Sequence, residues 1–140
     1  MKKILADTNV ALDILLRRKD FPSAKVIYLL AERNKIACYI SASAITDIFY
    51  LSKSDLGKKP AKEALKDLLS VFKPATVTDT HIYQALDLDW KDFEDSVQFV
   101  VGEGLDVDYI VTRNVQDFFS CSIPAVTPDN FLKIIADTEV

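Results

Sequence analysis

A chain of 140 residues that is about half apolar (49%), about a quarter charged (27%) and poor in glycine and proline has the make-up of one globular domain, spanning 1–140, rather than of a disordered or fibrous protein. Its longest apolar runs, such as Val26 to Ala31, are too short to cross a bilayer, and Lys2 and Lys3 meet Asp7 after only three apolar residues, so no signal peptide is read and a cytoplasmic location is expected. The net charge of −4 weighs against a simple basic nucleic-acid binder, and a single histidine, His81, rules out His-rich metal sites and argues against a Ser-His-Asp triad.

Lys3 to Ala6 is a short apolar run that predicts a first strand ending at Asp7. A helix follows through Val10, Leu12 and Leu16, with Thr8 or Asn9 expected as its cap. A second helix is expected from Pro22 or Ser23 to about Arg33. Lys35 to Ile40 then suits a buried strand holding Cys38. Ser41 or Ser43 should cap a third helix through Ile45, Ile48, Phe49 and Leu51, fading near Gly57. Pro60 to Phe72 has helical periodicity, and Ala75 to Val77 is a brief strand. Asp79 or Thr80 should open a helix to about Leu88, and Asp92 another that closes at Gly102 or Gly104. Asp108 to Thr112 is a strand, followed by a loop with Cys121, a short strand near Pro124 to Val126 and a helix from Pro128 or Asp129 to Ala136. Two cysteines without CxxC spacing give neither a zinc site nor a redox motif.

Strands separated by helices predict parallel connections and an α/β sandwich. Ligands in such sheets gather beyond the carboxyl ends of the strands, where Asp7 and Asn114 both fall. Asp7 either steadies the first helix, a role worth about 0.5–2 kcal/mol, or projects into a cleft as a ligand. In Asp92-Phe93-Glu94-Asp95 the first aspartate reads as a helix cap and Asp95 as a metal ligand. Asp47, in mid-helix between Ile45 and Phe49, is either a surface residue or a third acid. Asn114 and Asp117 serve equally as turn residues or as ligands. Lys53, Lys58, Lys59, Lys62 and Lys66 form either an RNA-facing patch or a solvated helix face.

Taken together, Asp7-Thr8-Asn9-Val10, the DFEDSVQF segment (Asp92 to Phe99) and the IVTRNVQDF segment (Ile110 to Phe118) resemble the PIN domain family of VapC-like toxin ribonucleases. The order and spacing match over essentially the whole chain. The resemblance implies a three-layer PIN-like fold with a small parallel sheet flanked by helices. It also implies an acidic cleft that binds Mg²⁺ or Mn²⁺ and cuts single-stranded RNA. It makes Asp7, Asp47 and Asp95 the catalytic acids, with Asn114 and Asp117 as further metal donors. Two departures stand out: Asp47 occupies a position where the family usually has glutamate, and Asn114 one where many members have aspartate. Thr8 or Thr112 is expected to hydrogen-bond a ligand carboxylate, and crowding should raise at least one carboxyl pKa. A cognate antitoxin and a homodimer are the partners implied, with Phe49, Tyr50 and Leu51 available for contacts.

Asp47 and Asn114 also feed an alternative, a catalytically weak PIN-like interaction module for RNA or protein. A phospho-acceptor domain would want paired acids after the first strand. Gly57, Gly102 and Gly104 form neither a P-loop nor a dinucleotide fingerprint.

Overall fold

The computed structural model of the protein describes residues 1–19, 21–118 and 122–138. Cys121 lies outside them. The strands are β1 (Lys2–Ala6), β2 (Ile36–Ser41), β3 (Lys73–Ala75), β4 (Tyr109–Val111) and β5 (Ala125–Val126). The helices are α1 (Thr8–Leu16), α2 (Phe21–Glu32), α3 (Ala42–Leu56), α4 (Lys58–Leu69), α5 (Asp79–Leu86), α6 (Phe93–Gly104) and α7 (Pro128–Thr138). A 3₁₀ turn at Val115–Phe118 follows β4.

All five strands are parallel, in the order β3-β2-β1-β4-β5. Parallel strands need crossover helices, and these cover both faces. The alternation within β1 divides the core. Ile4 and Ala6 face a cluster built with α1, α2, α3, α4 and α7, including Ile27, Ile48, Leu68 and Phe131. Leu5 faces a second cluster with Ala85 of α5 and Val97, Val100 and Val101 of α6. The result is the expected three-layer α/β fold. The chain builds outward from β1 to β3, then returns to place β4 on the other side of β1. That reversal opens a crevice between the carboxyl ends of β1 and β4, the usual ligand position in such a sheet.

Several boundaries differ from the sequence reading for local reasons. Asp7, not Thr8 or Asn9, is the cap of α1: its backbone is extended and its side chain accepts from the Thr8 amide. Helix α4 begins at Lys58, which leaves Pro60 within the first turn, where its missing N–H has no cost. β3 is Lys73–Ala75 rather than Ala75–Val77, because its pairing with Tyr39–Ser41 fixes the register. Thr78, not Asp79 or Thr80, caps α5. His81 completes a capping box with Thr78, its Nδ1 accepting the Thr78 amide at 3.0 Å. The lone histidine therefore has a structural task. Helix α6 ends at Gly104, one of the two expected ends, with Leu105 as its C-cap, and Gly102 lies within it. A Cβ at Gly102 would lie 3.2 Å from Val107 Cγ2, so packing explains that glycine rather than helix termination.

Candidate active site

β1 ends at Ala6, so the next side chain leaves the sheet at its carboxyl edge. There Asp7 is almost fully buried, with 6% of its surface exposed. A buried carboxylate demands hydrogen-bond donors, and Asp7 has three. Its Oδ1 accepts from the Thr8 amide at 2.7 Å and from Gln98 Nε2 at 3.1 Å, and its Oδ2 from Thr112 Oγ1 at 2.8 Å. These donors come from α1, α6 and the end of β4, so three elements of the crevice converge on one group. Thr112 Oγ1 also accepts the Asn114 amide at 3.0 Å, which ties the loop after β4 to the same carboxylate.

Around Asp7 lies an open cleft of about 430 Å³. Asp47 of α3, Asp95 of α6, Asn114 and Asp117 all line it, so the fold brings the candidate ligand residues to one cleft with Asp7. Asp92 lines it too while capping α6, its Oδ1 accepting the Asp95 amide at 3.0 Å. Asp47 is exposed, a surface residue of α3 that nevertheless borders the cleft. Both threonines act as hydrogen-bond donors: Thr112 to Asp7, and Thr8 to Glu94 Oε1 at 2.8 Å.

Glu94 and Gln98 are the residues that the sequence reading missed. They lie one helical turn apart on α6, 3.5 Å from each other at Gln98 Nε2 and Glu94 Oε1. Glu94 lines the cleft, and Gln98 is buried behind Asp7. The available signal was a glutamine inside the apolar run Val97-Gln98-Phe99-Val100-Val101, because such a position is filled by a polar group only when it has a partner.

The electrostatics follow from the crowding. Asp95 is pushed up to about 7, first by burial and then by the charges of Asp92, Asp7, Asp117 and Glu94. Burial also raises Glu94; the hydroxyl of Thr8 opposes this, while Asp47 and Asp7 add to it. Like charges held at one site make protonation, or a cation, the way to relieve repulsion. The donors are oxygens, the set preferred by hard divalent ions. Among the described residues, no three acidic, histidine or cysteine side chains already stand as a chelating group. A Mg²⁺-type site does not require one, because that ion keeps several waters and binds through one or two carboxylates. The residues present therefore fit a hydrated hard cation better than a closed cage.

A family model described as PIN domain matches residues 3–116, and the chain belongs to the PIN domain family. No curated protein sequence matches the chain significantly. Among solved structures it is similar to a toxin–antitoxin complex from Klebsiella pneumoniae, at 21% identity and a TM-score of 0.68, over 89% of this chain and 97% of that one. VapBC2 from Rickettsia felis, solved with a promoter DNA fragment, gives 14% identity and the same TM-score, over 89% and 96% of the two chains. The Mycobacterium tuberculosis toxin VapC20, described as cleaving the sarcin-ricin loop, gives 18% and 0.61, over 76% and 86%. These likenesses establish the fold. Among the described residues no helix is long and apolar enough to cross a membrane.

Proposed function

We propose that the protein is a Mg²⁺- or Mn²⁺-dependent endoribonuclease that hydrolyses single-stranded RNA, acting as the toxin of a type II toxin–antitoxin pair in the cytoplasm. The observation that carries this reading is Asp7. It is a buried carboxylate oriented by three donors at the β1/β4 crevice, facing a rim of further acids. Asp7 and Asp95 would hold the ion, with Asp47, Asn114 and Asp117 completing its shell directly or through water. When bound, the ion supplies a water of lowered pKa and counter-charge for the scissile phosphate.

The protein's own residues supply orientation. Thr112 and Gln98 fix the plane of the Asp7 carboxylate, and the Asp92 cap fixes the start of α6 and hence Asp95. Glu94, held by Thr8 and with Asp47 nearby, is a proton-accepting group on the same wall. Relatives crystallised as toxin–antitoxin complexes support an antitoxin partner. The exposed Tyr50 and Leu51 beside the cleft support contacts with a partner or with a second copy of the chain.

The test is thermal unfolding with Mn²⁺ titrated into wild type and Asp7→Asn, followed by cleavage assays on single-stranded RNA. Binding to the folded state raises stability by about 2.7 kcal/mol at a hundredfold excess over Kd. The expected outcome is a saturable shift in the wild type that the variant lacks, together with cleavage that EDTA stops. A metal-induced shift without turnover on any RNA would favour the interaction module instead.

A further inference from the structure

A second cavity, of about 610 Å³, adjoins the acidic cleft. Asp92, Asp95 and Asp117 line both, so whatever fills the second cavity touches the same acids from the other side. Its remaining wall is Asp89, Trp90 and Lys91, from the segment that leads into α6, and Gln116 from the 3₁₀ turn. The volume falls within the range of pockets that take small-molecule ligands.

Charge selects the kind of occupant. Four aspartates against one lysine repel a phosphate, so a neutral group belongs here, and the anionic backbone belongs over the cleft, where the ion of the ribonuclease reading would offset the acids. Trp90 gives that neutral group a wall. Its indole stacks on Phe99, with centroids 5.1 Å apart and planes at 24°, and meets Phe118 edge-on at 5.9 Å. The ring is therefore held in place before anything binds, while part of it borders the cavity. Aromatic walls of this sort hold bases of single-stranded nucleic acid. Carboxylates only accept hydrogen bonds when ionised, so the rim suits a base edge that donates.

We propose that this cavity is the subsite for one unpaired nucleobase flanking the scissile phosphate, with Trp90 as its wall and Asp89, Gln116 and Asp117 reading its amino edge. Guanine, which presents a ring N–H and an amino group together, fits best, and uracil, with no amino group, fits least. The proposal rests on the ribonuclease reading. It adds to that reading a requirement for single-stranded substrate at this position and a preference among bases.

Trp90 is the only tryptophan in the chain, so its emission reports on this cavity without a label. The wild-type protein, which keeps its full acid set, is titrated in Mg²⁺ with single-stranded RNA hexamers, either guanosine-containing or all-uridine, linked by phosphorothioates to suppress cleavage. Binding is followed in parallel by anisotropy of end-labelled hexamers. The guanosine hexamer should change Trp90 emission saturably, with the same midpoint as the anisotropy. Trp90→Leu should weaken its binding about tenfold and Trp90→Phe should restore most of the loss. The exposed Gln116→Ala, which removes no packing, should weaken it about fivefold.

RNA that binds by anisotropy, with Trp90 emission unmoved and Gln116→Ala silent, would overturn the subsite and leave the ribonuclease reading standing. Equal binding of the all-uridine hexamer would overturn the base preference. No binding of either hexamer by either measurement would overturn the ribonuclease reading and the subsite with it.

Discussion

The two walls of the acidic cleft treat their carboxylates in opposite ways. On the β1/β4 side Asp7 is buried, yet every oxygen has a donor and the group is fixed from three directions. On the α6 side Glu94 and Asp95 are half-buried, and that burial, followed by the charges of neighbouring acids, drives both towards protonation, with Thr8 opposing it at Glu94. Burial alone therefore does not decide how a carboxylate behaves. Donors hold the deeper group in one orientation, and their scarcity makes the shallower ones a repulsive rim that a cation would quiet.

The largest expected effects test whether both walls act on the same ion. Asp7→Asn and Asp95→Asn should each lower metal-dependent cleavage by more than about a hundredfold, beyond the 10–100-fold typical of groups that merely orient a ligand. Circular dichroism should show the fold retained. Full activity in Asp95→Asn would remove the α6 wall from the site.

Next come the groups behind Asp7. Thr112→Val and Gln98→Met should each reduce cleavage about 10–100-fold, but they should differ in stability. Thr112→Val strips a donor from a buried carboxylate and an acceptor from the Asn114 amide, at a cost of about 1–3 kcal/mol. Gln98→Met also removes a buried carbonyl that has no partner, so its net cost should be smaller. Urea denaturation of the pair makes the comparison. Equal losses would mean that the Gln98 carbonyl is satisfied in solution.

Asp47→Ala should then cost more activity than Asp92→Ala, while Asp92→Ala should cost more stability, about 0.5–2 kcal/mol for a lost cap. The reverse order in activity would exchange cap and ligand.

The smallest effect is on pH dependence. In EDTA, the Asp95 carboxyl of the folded protein titrates near 7 instead of near 3.8. The folded state therefore binds more protons than the unfolded chain between those values, and stability should fall as pH rises through that window. Asp95→Asn should flatten the fall and be more stable than wild type at pH 8 by about 1 kcal/mol, a figure discounted for solvent screening of a half-exposed group. Thermal melts at pH 5 and pH 8 with and without Mn²⁺ provide the check; saturating ion should remove most of the pH dependence.

The lysines of α3 and α4 point to a second contrast. Lys53, Lys58, Lys59, Lys62 and Lys66 are all exposed, and none lines the acidic cleft. Lys62 and Lys66 instead border an apolar groove with Phe49, Leu65 and Leu69. Of the two sequence readings, the geometry suits a solvated helix face rather than a patch beside the acids.

Much of the fold was legible in the sequence because its signals are local. Apolar runs of strand length alternating with amphipathic helices dictate parallel connections, and the order of Asp7, Asp95 and Asn114 along such a chain delivers them to one sheet edge. What the sequence left open were the choices that depend on neighbours in space. Whether Asp7 caps a helix or faces a cleft was posed as an alternative; in the structure it does both, since a residue between β1 and α1 meets the helix amides and the crevice at once. The start of β3 depended on register with β2, and the Thr78 cap on where α5 begins, neither of which single-residue propensity encodes. Glu94 looked like one acid among three in its segment until the fold brought the start of α6 beside the start of α1 and gave it Thr8 as a partner. The sequence by itself determined which groups are available: oxygen ligands, one histidine, no cysteine pair at metal spacing. Tertiary structure alone decided which carboxylates receive donors and which receive other carboxylates, because hydrogen bonds between residues 91 and 105 positions apart exist only once the sheet has brought β1, β4 and α6 together.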